Sequence, residues 1–291
     1  MITHAARVHA FTINGQRGNA AVVFATGAHE RVDVDACAAT ADRLQCEVTW
    51  IRRDATPSGS GLRFFTPGGE IAFCGHGTLA AAAWLAARDG DGGGAAQVFD
   101  IGGAPIRVEQ DAHGRWSYQQ EAGGSQPVDS DALVDALAAL GLRNPDALRA
   151  ALARSIGAPR DKLLVALPGA AALRDIALDP ARRDALCTRL DTTGLYAYAV
   201  CDTAAPRLVA RHFPLRCGMQ EDMATAGIAP TVVRHAGFDA AAGDVVIDQG
   251  GPDCANARLV VAAGTGSARR VAGECVIVRE MSLAGVVAAL H

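Results

Sequence analysis

The stretch Leu62-Arg63-Phe64-Phe65-Thr66-Pro67-Gly68-Gly69-Glu70-Ile71-Ala72-Phe73-Cys74-Gly75-His76-Gly77-Thr78-Leu79 decides how this chain is read. It opens as a short strand, Leu62 to Phe65, stopped by the turn chemistry of Thr66-Pro67-Gly68-Gly69. After Cys74-Gly75-His76-Gly77-Thr78 the chain runs from Leu79 to Arg88 with apolar residues nearly all round. Such a helix is buried on every side instead of lying on a surface. Its N-terminus offers unpaired N–H groups and a partial positive charge, which can hold an anion without a basic side chain. Gly75 and Gly77 would let the backbone approach that ligand closely, or they only make tight turns.

Upstream, strands are expected at Ala6 to Phe11 and Ala20 to Ala25, joined through Asn14-Gly15-Gln16-Arg17-Gly18-Asn19. Asp33 to Leu44 has helical spacing, with Val34, Cys37, Ala38, Ala41 and Leu44 on one stripe. Cys46 to Arg52 then alternates as a strand, with Cys46, Val48 and Trp50 on one face and Glu47, Thr49 and Ile51 on the other. Downstream, the glycine-rich Arg88 to Ala95 is a loop, and strands follow at 97–101, 106–109 and 116–120. Glu121 to Asp129 reads as a link between domains, followed by helices capped near Ser130 and beginning near Asn144-Pro145. The second half repeats the plan of the first. Strands at 163–167, 195–201 and 208–213 lead to Gly218-Met219-Gln220-Glu221-Asp222-Met223-Ala224-Thr225-Ala226-Gly227. An apolar helix is expected to start near Gly227, since Pro230 is tolerated only in a first turn. Strands at 245–247, 258–261 and 274–278 close the chain.

Three titratable residues stand out. Glu47, if buried, would be a general acid/base with its carboxyl raised by desolvation; otherwise it is an exposed strand-end or ion-paired glutamate. His76 could donate to a substrate oxygen or relay a proton, or cap its helix. Asp222 precedes the second helix start, where an acid is favoured by the dipole alone.

With 27 Lys+Arg against 31 Asp+Glu the net charge is −4, which provides no patch for nucleic acid and no polybasic membrane segment. The 291 residues suit two domains. The start, Met-Ile-Thr-His-Ala-Ala-Arg, does not read as a secretion signal, and the longest apolar window, Leu79 to Ala87, is about half a bilayer span. A cytoplasmic location is the expectation. The eight cysteines, at 37, 46, 74, 187, 201, 217, 254 and 275, contain no Cys-x-x-Cys pair, so neither a zinc site nor a disulfide framework is expected.

Taken in order, these segments resemble the phenazine-biosynthesis isomerase (PhzF-like) family of the diaminopimelate-epimerase-like superfamily. The likeness is carried by Phe11-Thr12 with Gly18-Asn19, by Glu47-Val48-Thr49-Trp50, and by Leu62 to Pro67 with Glu70 and Cys74 to Leu79. It continues through Arg211-His212-Phe213-Pro214 with Gly218, Glu221-Asp222 and Ala224-Thr225, and ends at Gln249-Gly250. The resemblance implies an α+β fold of two pseudo-symmetric domains, each a curved, mostly antiparallel, barrel-like sheet around a central apolar helix. The domains would span 1–121 and 130–272, with a C-terminal strand in 273–291 a candidate to pack back on the first, and the site would lie in the cleft. It implies a homodimer without cofactor or metal, and an isomerase or epimerase moving a proton on a small carboxylate-bearing substrate. Glu47 takes the acid/base role, with His76 and Asp222 holding substrate and relaying protons. Gly75, Gly77, Asn19, Thr225, Ala226 and Gly227 are the implied substrate-binding residues. Where members carry Thr-Gly-Ser, this chain has Thr225-Ala226-Gly227, with Met223 and Cys46 also off the pattern. Two alternatives follow: a two-thiol racemase using Cys74 as a base, although Cys217 lies several residues too early for the second thiol, and a non-catalytic binder of small acids.

Overall fold

The structure, a computed structural model, describes residues 5–27, 30, 32–56, 59–90, 96–143, 149–215, 219–238, 243–264 and 267–281. The helix expected near Asn144 and the positions Cys217 and Gly218 lie outside the described residues, as does most of the glycine-rich loop. By contacts the chain divides into two compact units, Met1–Gln119 with Ala272–His291, and Gln120–Val271.

In the first unit, β1 (Ala5–Thr12) and β2 (Asn19–Thr26) form an antiparallel pair, from Ala5 opposite Phe24 to Ala10 opposite Asn19. Asn14, Gly15 and Arg17 take the positive φ that the connecting turn needs. Helix α1 (Val34–Leu44) is capped by the Asp33 carboxylate, which accepts the Asp35 N–H, and it ends at a left-handed Gln45. It crosses over to β3 (Glu47–Thr56), which runs parallel to β2 with Glu47 opposite Ala21. β4 (Gly59–Thr66) returns antiparallel, and β5 (Gly69–Ile71) folds onto it. Helix α2 (Gly75–Asp89) is the second crossover, leading to β6 (Gln97–Ile101) parallel to β4, then β7 (Ala104–Gln110) and β8 (Trp116–Glu121). The long β16 (Ala268–Met281) lies between β8 and β1. The result is a closed mixed barrel of eight strands, β1-β2-β3-β4-β6-β7-β8-β16.

The alternation read in β3 corresponds to two buried surfaces. Cys46, Val48 and Trp50 pack with Phe24, Phe65, Cys37 and Ala41 beneath α1. The opposite face turns to α2, because a Cβ on Gly77 would land 2.4 Å from Thr49 Oγ1. Every residue of α2 from Gly75 to Leu85 is buried, as its all-round apolar character requires.

In the second unit the strand order is β9-β10-β11-β12-β13-β14-β15. These strands are β9 (Gly124–Pro127), β10 (Ala151–Ile156), β11 (Leu163–Ala166), β12 (Gly194–Asp202), β13 (Arg207–Pro214), β14 (Val245–Gln249) and β15 (Ala257–Ala263). The sequence of pairings repeats that of the first unit. An antiparallel pair, β10 and β11, is followed by a crossover to the parallel β12, an antiparallel β13, a second crossover to the parallel β14, and an antiparallel β15. The first crossover carries α4 (Ala170–Arg174) and α5 (Pro180–Arg189); the second carries α6 (Ala229–His235). Helix α3 (Ser130–Ala139), capped by Asp129, precedes β10 and packs on α5, and Leu137, Leu140, Leu186, Leu195 and Phe213 belong to one core.

Four readings of the sequence change here. The expected linker contains a strand, since β9 pairs with β10. Strand β10 and helices α4 and α5 were not anticipated. The second apolar helix begins with a 3₁₀ turn at Ala226–Ile228, becomes α-helical only at Ala229, and lasts seven residues against the fifteen of α2. No helix among the described residues is long and apolar enough to cross a membrane.

Candidate active site

Glu47 is the first residue of β3, and its register beside Ala21 places it at the end of the strand next to the start of α2. It is 5 % exposed, so the solvent-facing reading of this glutamate is excluded. His76, 3 % exposed, sits in the first turn of α2 and brings Nε2 to 3.2 Å from Glu47 Oε2. The Asn19 amide reaches His76 Nδ1 at 3.4 Å from the start of β2. Cys74, not His76, caps the helix: its sulfur accepts the Gly77 N–H at 3.3 Å and lies 3.4 Å from His76 Nδ1. Burial works against a charged imidazole, but the Cys74 sulfur and the Glu47 carboxylate outweigh it and hold His76 well above its ordinary range. Asn19, Glu47, Cys74 and His76 are thus brought together inside the first unit.

The two glycines of this turn differ in role. The first intrahelical bond is Thr78 N–H to the Cys74 carbonyl, so the Gly75 and His76 amides stand in the first turn ahead of it. Gly77 does not fit the expectation of a ligand-facing backbone. Its N–H is given to Cys74, and a Cβ there would meet Thr49 Oγ1, Cys74 Sγ and Phe64 Cδ1 at 2.4, 3.1 and 3.1 Å. It is glycine because of packing. The buried Thr49 hydroxyl beneath it has no hydrogen-bond partner.

Asp222 belongs to a separate constellation in the second unit. Its N–H donates to the His212 carbonyl, which ties the loop to β13. Its carboxylate accepts from Thr225 Oγ1 at 2.8 Å and faces His212 Nδ1 at 3.3 Å. Asp222 therefore does not cap a helix, which starts several residues later. Gln249 connects the set: Nε2 donates to the Asp222 carbonyl (2.8 Å) and to Thr225 Oγ1 (2.9 Å), while Oε1 accepts from Tyr196 Oη (2.9 Å) and from the Thr225 N–H (3.2 Å). Burial, helped by Lys162, pushes His212 down to about 4 against the pull of Asp222, so the ring is neutral near neutral pH. Thr225 accepts from Gln249 and gives its own proton to Asp222; the Nδ1 that faces both oxygens must then carry the ring proton. That assignment leaves Nε2 a bare lone pair, which agrees with its buried position without a partner.

The residues around Asp222 explain motifs that were legible only as patterns. Glu221 accepts from Arg211 at 2.7 and 3.1 Å and from the Gly251 N–H at 2.8 Å, so this acid clamps the loop. Gly250, at φ +90°, lies against Met223, which a Cβ would approach to 2.9 Å. Ala226 is buried in the 3₁₀ turn, and the Gly227 carbonyl accepts from Gln120 Nε2 at 2.5 Å. His212, Gln249 and Tyr196 were missed as functional candidates. The first two stood within quoted motifs, and that was their one signal.

Solved structures share this fold. A phenazine biosynthesis protein of the PhzF family from Bacillus anthracis is similar with a TM-score of 0.77 at 17% identity, covering 97% of this chain and 98% of its own. A protein from Pseudomonas aeruginosa described as a predicted epimerase gives 0.76 at 20% identity, covering 96% and 98%. A hydroxyproline epimerase from Agrobacterium vitis, with trans-4-hydroxy-L-proline bound, gives 0.55 at 8% identity, covering 96% and 90%. No curated protein matches in sequence. The epimerase-like fold is therefore established, and the chain belongs to the phenazine biosynthesis-like protein family, which it matches over residues 8–279.

Proposed function

We propose that this isomerase of the phenazine biosynthesis-like family moves a proton on a small carboxylate-bearing substrate, with Glu47 as the general acid/base. The observation that carries this reading is the buried 3.2 Å contact between Glu47 and His76 at the start of an enclosed helix. Burial keeps water from the pair, and a cationic imidazole beside the carboxylate can donate a proton to the substrate and take it back. Glu47 removes a proton from carbon, the electron pair is delocalised into the substrate's carboxylate or conjugated system, and the proton returns to the same or another carbon. The first-turn amides of Gly75 and His76 suit the substrate carboxylate, favoured by the helix dipole. Asp222, with Thr225, is assigned a substrate-holding and relay role, and neutral His212 fixes the orientation of that carboxylate. A homodimer and a cytoplasmic setting accompany this reading.

A second reading gives the base role to Cys74, whose sulfur lies against the same imidazole. A two-thiol racemase would need a partner thiol at the second helix start, and residues 219–228 contain no cysteine. The test is deuterium wash-in from D₂O across a panel of amino, hydroxy and cyclohexadiene carboxylic acids, read by mass spectrometry. Label entering one compound and surviving Cys74→Ala is the expected result. Label abolished by Cys74→Ala would move the chemistry to the thiol, and label in none of the acids would favour a binder of the same fold.

A further inference from the structure

Cys74 is not used by the reaction proposed above, yet its sulfur shares one buried cluster with two other metal-ligating groups. A Glu47 carboxylate oxygen, Cys74 Sγ and a His76 ring nitrogen all lie within 4.8 Å of one another. Carboxylate, thiolate and imidazole are the ligand types that select zinc and its thiophilic neighbours over magnesium or calcium. We infer that Glu47, Cys74 and His76 form a capture site for a thiophilic divalent cation such as Zn²⁺, and that occupancy switches the site off.

The spacing fits. With zinc bonds of about 2.0–2.3 Å, tetrahedral ligands stand roughly 3.3 Å apart for nitrogen and oxygen and about 3.5 Å apart for sulfur and nitrogen. The corresponding separations are 3.2 Å for His76 Nε2 to Glu47 Oε2 and 3.7 Å for Cys74 Sγ to His76 Nε2. Capture competes with the helix cap, because the same sulfur accepts the Gly77 N–H. Three protein ligands leave a fourth position for water, so the site is an open one. Binding releases the His76 ring proton and the Cys74 thiol proton to solvent, and the metal would then occupy the carboxylate oxygen and the ring nitrogen that proton transfer uses. The switching half of the inference rests on the proposed role of Glu47; the capture half does not.

Titration of the reduced full chain with Co²⁺ tests capture without any substrate. The expected result is one Co²⁺ per chain, a near-ultraviolet sulfur-to-cobalt charge-transfer band, four-coordinate visible bands, and displacement by Zn²⁺ but not by Mg²⁺ or Ca²⁺. Cys74→Ser removes the charge-transfer band. His76→Gln and Glu47→Gln each weaken binding at least as much as the ~10-fold that losing even an outer-shell partner costs. Cys201→Ala, at the exposed thiol, leaves the titration unchanged. A band that survives Cys74→Ser, or affinity indifferent to His76→Gln and Glu47→Gln, would overturn the site. Wash-in that declines in step with Zn²⁺ occupancy supports the switch. Wash-in unaffected by bound Zn²⁺ would overturn the switch while leaving capture standing.

Discussion

The charge state of His76 depends on its two neighbours, Cys74 and Glu47. Removing the carboxylate takes away one of the two influences that hold the imidazole above its ordinary range. Glu47→Gln is therefore expected to lower the His76 titration midpoint, measured by NMR of the ring protons. His212 responds in the opposite sense. Its folded value of about 4 lies below the ordinary 6.5, so the unfolded chain binds its proton first and stability falls as pH drops through that window. The contribution lost between pH 7 and pH 5 is about 2 kcal/mol, and His212→Asn should flatten the acid limb of the stability curve by about that amount. An unchanged acid limb would mean that the ring is already protonated in the fold. Glu47 and His76 were marked by the family resemblance of Glu47 to Trp50 and of Cys74 to Leu79, since position alone fits an exposed strand-end glutamate and a helix-capping histidine as well. His212 was not, because a buried histidine with one ring nitrogen unpartnered reads in sequence like any core residue.

At the level of elements, α2 shows why the quoted stretch was decisive: no polar stripe interrupts Leu79 to Ala87, and the barrel encloses it. Its glycine is equally constrained. Gly77→Ala would drive a methyl into Thr49, Cys74 and Phe64, and a loss of roughly 1–3 kcal/mol in denaturant unfolding is expected, together with displacement of the Cys74 cap. A neutral Gly77→Ala would show that the turn has slack. Misreadings of elements have physical causes. Gly124-Ser125-Gln126-Pro127 has no strand propensity of its own, and β10 supplies the pairing. The Asp179-Pro180 start of α5 is a good capping signal, but Pro-Ala-Arg-Arg-Asp-Ala-Leu-Cys-Thr-Arg buries only Arg183, Leu186 and Cys187, so its apolar stripe is thin. Pro230 marks the first turn of α6, but the 3₁₀ lead-in at Ala226–Ile228 has no sequence mark.

For the whole molecule, the layout of strands around an apolar helix was visible in both halves although the residues do not repeat, whereas the repeated order of pairings comes from the structure. Chain continuity separates the units: the second is one segment, whereas the first needs the returning strand β16 beside β1. A fragment spanning 120–271 is expected to unfold cooperatively by circular dichroism, and one spanning 1–119 is not, because it would lack β16, which closes the barrel between β8 and β1. Cooperative unfolding of 1–119 would show that the barrel does not require closure. The most direct test of the proposed chemistry is the rate of deuterium incorporation from D₂O into the responsive carboxylic acid, compared between wild type and Glu47→Gln. The account predicts a loss of at least about 100-fold, the scale of one positioned acid/base, with the fold intact. Incorporation at the wild-type rate would contradict it and remove Glu47 from the reaction.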